Sequence, residues 1–142
     1  MSEKDTKTGT FHNLEEGGLT GSREESVREA TRIFDINRAI SHIDKVKLVR
    51  GNIIHTANKF IEDNPQLKVA LLYLDFDLYE PTKKALEVFV PKMPKGAIIA
   101  FDELNAEIFP GETKAVDEVL GLNNLRIQRF PFDSYVSYAL IE

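Results

Sequence analysis

The chain has no cysteine and no tryptophan, and only 2 methionines among its 142 residues. Without cysteine there can be no disulfide, thiolate zinc site, iron–sulfur cluster or cysteine nucleophile. Basic residues are outnumbered 18 to 23 by acidic ones, for a formal net charge of −5. That balance argues against a nucleic-acid partner, which would require a basic stripe. No apolar run approaches the ~20 residues that span a bilayer, so no membrane partner is expected. The opening residues Met1-Ser2-Glu3-Lys4-Asp5 are too polar for a secretory signal, and a cytoplasmic location is expected. What remains is ordinary globular usage, 42% hydrophobic and 29% charged. A chain of this length suits one domain and buries about two-thirds of its unfolded surface.

Residues 1–21 are polar and turn-rich, with Gly9, Gly17, Gly18 and Gly21, and read as a loop or the remnant of a lid. Residues 22–142 read as a single α/β domain. Ser22-Arg23-Glu24-Glu25 has the spacing of a capping box, and Val27, Ala30, Ile33 and Phe34 give the following helix an apolar face. Lys45 to Arg50 alternates with period two and predicts a half-buried strand. Ile53, Ile54, Ala57, Phe60 and Ile61 predict a short amphipathic helix ending before Pro65. Val69–Leu74 and Gly96–Phe101 are continuously apolar, as strands covered on both faces are. Pro81-Thr82 opens a helix between them, and Glu112 to Leu120 predicts another, closed by Gly121. The stretches 125–130 and 135–141 are separated by too few residues for a helical crossover, so they pair antiparallel. This alternation predicts a mostly parallel sheet flanked by helices, with right-handed crossovers and a C-terminal antiparallel hairpin.

Open α/β sheets bind ligands beyond the carboxyl ends of their strands. Two strands end in acid here, Leu74 into Asp75 and Asp77, and Phe101 into Asp102 and Glu103. Asp75 and Asp102 lie 27 positions apart, the length of one strand–helix–strand crossover. Both acidic groups are therefore expected at one rim of the sheet. If the strand continued, Asp75 and Asp77 would point to one side. Carboxylates gathered so closely need a cation, a basic partner or raised pKa values. Mg²⁺ suits an all-oxygen ligand set, and a carboxylate left off the metal serves as a general base. The plainer reading is that these acids merely end buried strands. A Mg²⁺-dependent phosphotransferase is the rival chemistry, but no Gly-Lys-Ser/Thr loop supports it.

Other polar residues carry less. His12, His42 and His55 are widely spaced and read as surface residues. Arg126 and Arg129 fall on opposite faces of a strand, so at most one faces any site. The four tyrosines, Tyr73, Tyr79, Tyr135 and Tyr138, read as packing residues, with Tyr79 the one placed to line a pocket.

Leu74-Asp75-Phe76-Asp77-Leu78-Tyr79-Glu80-Pro81-Thr82 resembles the L-D-x-D-x-Y-x-x-T signature of the macrocin O-methyltransferase family. The resemblance runs on through Pro94–Glu103 and Pro110–Val116, and its ordered part covers residues 45–142. It implies a Rossmann-like methyltransferase sheet, S-adenosylmethionine as cofactor, Mg²⁺, and a sugar or glycoside hydroxyl as acceptor. Carried onto this sequence, the metal ligands are Asp75, Asp102 and Glu103, and the general base is Asp77. The family has Asp-Asp where this chain has Asp102-Glu103. Gly51-Asn52 is the piece that resembles an adenine-side cofactor contact.

The family's fold starts with a strand, a Gly-rich turn that holds the cofactor, a helix and a second strand. No such strand is legible before Lys45, and no Asp/Glu-x-Gly-x-Gly turn occurs anywhere in the chain. The sheet is therefore expected to be truncated, cofactor binding by this chain alone weak or absent, and the exposed strand edges satisfied in a homodimer. The reading from a different class is a non-catalytic remnant or assembly module of the same fold.

Overall fold

The structure, a computed structural model, describes residues 2–5 and 21–142. The expected lid remnant and His12 fall almost entirely outside the described residues. The chain divides into two compact units, Met1–His12 with Gly51–Glu142, and Asn13–Arg50.

The larger unit holds the sheet. Its order is β1 (Leu71–Leu74), β2 (Ile98–Phe101), β4 (Ser137–Leu140) and β3 (Gln128–Arg129). β1 and β2 pair parallel, Leu71 against Ile98 through Leu74 against Phe101. β4 pairs antiparallel with both β2 and β3, so the expected hairpin is present. The helices of this unit are α2 (Ile53–Asp63), α3 (Tyr79–Phe89) and α4 (Pro110–Leu120), with α3 packed between α2 and α4. Proline opens α4, where a missing N–H costs nothing, and Gly121 closes it.

The core lies on one face of the sheet. Leu74, Ile99, Phe101 and Ala139 point into it, against Leu86, Ala85, Ala115 and Val116 of the helices. The alternate residues Leu71, Tyr73, Ile98 and Leu140 form the opposite face and are exposed. The apolar runs of β1 and β2 suggested cover on both sides. Among the described residues of this unit the helices cover one.

The smaller unit contains α1 (Glu24–Ile36). Its exposed side carries the ion pairs Glu24–Arg28 and Glu29–Arg32, at one-turn spacing. The expected capping box does not form. Arg23 is the N-cap residue and no side chain caps the helix. The predicted apolar face exists, yet no residue of α1 is buried, and Phe34 is 84% exposed. The expected strand over 45–50 is also absent. Its backbone joins no ladder among the described residues, and alternation alone cannot make a strand without a neighbour to receive its hydrogen bonds. The sheet is consequently mixed, its parallel part a single pair.

Candidate functional site

The parallel register decides where the acids go. Leu74 lies opposite Phe101, and one residue further on Asp102 N–H donates to the Leu74 carbonyl at 3.0 Å. Asp75 and Asp102 therefore leave neighbouring strands side by side, at the carboxyl ends, as the spacing predicted.

Beyond Leu74 the chain stops being a strand, and Asp77 does not continue the alternation. It sits at φ +60° inside a tight turn in which Leu78 N–H donates to the Phe76 carbonyl at 2.6 Å. A non-glycine residue at the centre of such a turn is strained, and Asp is among the few side chains that tolerate it. The expectation that Asp75 and Asp77 share a side through strand geometry is thus corrected: the turn, not the pleat, sets the direction of Asp77.

The electrostatics tie these residues together. Burial first, then the nearby Asp75 and Asp102, pushes the Asp77 carboxyl above its ordinary range. Glu103 is raised by burial and then by Asp77, Asp102 and Asp75. Asp102 Oδ1 accepts a short hydrogen bond from the Tyr73 hydroxyl, and this bond, more than burial, pushes the phenol up to about 12. Tyr73 is therefore no packing residue. It is 46% exposed and engaged with the site.

One participant was not legible as such. Glu112, in the first turn of α4, is fully buried, and its Oε1 accepts the Glu103 N–H at 3.1 Å. Burial pushes its carboxyl to about 8, with Asp102, Glu103 and Asp77 adding to the rise. Sequence reading placed Glu112 simply at a helix start. The available signal was an acid just after Pro110-Gly111 in the element that follows the second acid-ended strand.

Glu103 Oε2 and Glu112 Oε2 are buried with no hydrogen-bond partner. Unsatisfied buried oxygens beside further carboxylates are the kind of donors a hard cation satisfies. As placed, however, no three His, Asp or Glu side chains among the described residues are already grouped as a ligand set.

The remaining candidates lie elsewhere. Asn52 is the N-cap of α2, its Oδ1 accepting Ile54 N–H at 3.0 Å, while Gly51 adopts φ +132° just before it. Arg129 reaches the loop after β2 and donates to the Leu104 carbonyl at 2.9 Å. Arg126 instead lines a groove with Lys95 and Gln128. Tyr79 was expected to line a pocket, but it is buried in the core and its hydroxyl donates to Glu118. Tyr138 does pack, stacked on Phe130 at 5.0 Å, and Tyr135 is exposed. His42 and His55 are exposed, as expected.

This α/β fold with its four-stranded mixed sheet matches that of solved methyltransferases. The profile of the family described as Macrocin-O-methyltransferase (TylF) matches residues 2–134, and the chain belongs to that family. Among solved structures, apo CalS11, a TDP-rhamnose 3'-O-methyltransferase of calicheamicin biosynthesis, is 35% identical with a TM-score of 0.78, over 82% of this chain and 50% of that one. A second CalS11 structure, a calicheamicin methyltransferase, is 34% identical with a TM-score of 0.80, over 86% of this chain and 48% of that one. The O-methyltransferase NovP is 25% identical with a TM-score of 0.62, over 83% of this chain and 44% of that one. The chain thus spans about half the length of the solved relatives it matches. No curated protein matches it.

Proposed function

We propose that this chain carries the acceptor side of an S-adenosylmethionine-dependent O-methyltransferase acting on a sugar hydroxyl. The observation that supports this most is the in-register ending of β1 and β2, which sets Asp75 beside Asp102 with Asp77 coupled to both. Asp75, Asp102 and Glu103 would hold Mg²⁺, and the partnerless Glu103 Oε2 has the most to gain from it. An ion held there would supply the positive charge that lowers the pKa of an acceptor hydroxyl. Asp77, whose carboxyl is raised first of all by burial, would take the hydroxyl proton. The methyl group is the cofactor's contribution. Gly51 and Asn52 would lie on the adenine side. The acceptor class is a sugar or glycoside, as in the CalS11 relatives.

The sequence contains no Asp/Glu-x-Gly-x-Gly turn to seat the cofactor. Calorimetric titration of the 142-residue chain with S-adenosylmethionine should show no binding, and a TDP-sugar should remain unmethylated. Micromolar binding would overturn that part of the reading. Titration with Mn²⁺ followed by electron paramagnetic resonance should show a bound ion that D75N and D102N abolish. No bound ion would overturn the metal set. The reading as a non-catalytic assembly module is favoured by one observation, the capture of Asp102 by Tyr73, and a chain that binds no Mn²⁺ would support it.

A further inference from the structure

Helix α3 begins with a deficiency. Its N-cap residue is Leu78, whose side chain accepts nothing, although a helix start needs acceptors for its free N–H groups. The missing acceptor arrives from the other end of the sequence. Asp5 Oδ1 accepts the Tyr79 N–H at 2.5 Å.

The contact is built rather than incidental. Asp5 is only 4% exposed, rare for an aspartate. Its Oδ2 accepts from Ser2 N–H at 2.6 Å and from the Ser2 hydroxyl at 2.9 Å, so both carboxyl oxygens are engaged. Lys4 Nζ donates to the Tyr79 hydroxyl at 2.8 Å and to Glu118 at 2.7 Å, and sits 4.1 Å above the Tyr79 ring. Lys114 of α4 donates to the Lys4 carbonyl at 2.7 Å. Gly111 completes the seat. A Cβ there would collide with both Asp5 Oδ1 and the Tyr79 nitrogen.

Tyr79 lies two residues past Asp77, the residue in the strained turn. Strain of that kind persists only where the surroundings hold both ends. β1 anchors the turn on one side. We propose that Asp5 is a positioning residue of the acidic site: capping α3 from a distance, it pins Tyr79 and so holds Asp77 in its left-handed turn. The importance of this for catalysis rests on Asp77 being the base, whereas the conformational claim does not.

The test is nuclear magnetic resonance of the ¹⁵N-labelled full chain, with no cofactor, metal or acceptor added. In D5A the Tyr79 amide should exchange about tenfold faster, and the scalar and dipolar couplings of Asp77 should leave the positive-φ values, while Ala139 in β4 keeps its protection. D5N keeps an acceptor for the Tyr79 N–H but sets an amide NH2 against the Ser2 N–H, so it should restore both signals only in part. S2A, which removes the hydroxyl that holds Asp5 Oδ2, should speed Tyr79 exchange to a value between those of the parent chain and D5A, and it supplies the readout if D5A does not fold. The proposal is overturned if D5A or S2A melts at lower temperature with Tyr79 and Asp77 unchanged, or if D5A and S2A both lose the whole fold. Failure of the methyl-transfer reading would leave all of these signals as expected.

Discussion

Glu112 is the residue where structure and chemistry conflict most openly. A fully buried carboxyl accepts one backbone N–H and leaves its second oxygen unpartnered. Glu112→Gln keeps the acceptor and abolishes the proton uptake that a carboxyl raised to about 8 requires on folding at pH 7, so its urea midpoint there should rise above that of the parent chain. Glu112→Ala strands the Glu103 N–H and should cost about 1–3 kcal/mol. The surface counterpart is Glu118. Hydrogen bonds from Lys4 first, then Lys83 and Tyr79, hold its carboxyl down at about 2. Because the folded value lies below the ordinary 4.5, the stability it contributes is present above pH 4.5 and lost as pH falls through about 2. Melting curves between pH 5 and 2 should therefore fall more steeply for the parent chain than for Glu118→Gln, and added salt should shrink the difference. Neither role was legible in the sequence. Glu112 and Glu118 look alike there, two acids six residues apart on one helix, and only the packing of α4 tells the buried one from the surface one.

At the scale of elements, what could be read were features whose causes are local. The apolar runs of β1 and β2, the acids that end them and Pro81 in the first turn of α3 all declare themselves within a few residues. The stretch 45–50 failed because a strand is defined by its neighbour, and none pairs with it among the described residues. Ser22 failed as a cap for a smaller reason, since α1 starts one residue later than the motif implies. α1 shows what an amphipathic pattern is worth without burial. Its helix is held by one-turn ion pairs and by the pair of Glu24 with Arg50 at 3.5 Å, with no buried residue to anchor it, which leaves a helix of 13 residues marginal in water. Amide exchange in α1 should be orders of magnitude faster than in α3 and α4, whose inner faces are buried. Protection of α1 equal to that of α3 would show that its apolar face has found cover in solution.

For the whole molecule, the open face of the sheet matters most. Leu71, Tyr73, Ile98 and Leu140 are exposed together, and β1 is an edge strand with no outer neighbour among the described residues. An unprotected edge beside exposed apolar groups favours association. Sedimentation velocity should show a dimer whose fraction rises with concentration, and Leu71→Lys with Ile98→Lys should return it to monomer. A monomer at high concentration in the unaltered chain would remove the expectation of a homodimer. The pairing of β1 with β2 also bears on how such a chain tolerates change. Insertions at the exposed turn 94–95 before β2 alter only the route between two fixed points. A single residue added or lost inside 71–74 or 98–101 reverses which flank each later side chain occupies. Drift in length should thus be tolerated at that turn and forbidden within the strands, because parity, rather than distance along the chain, keeps the acids in company.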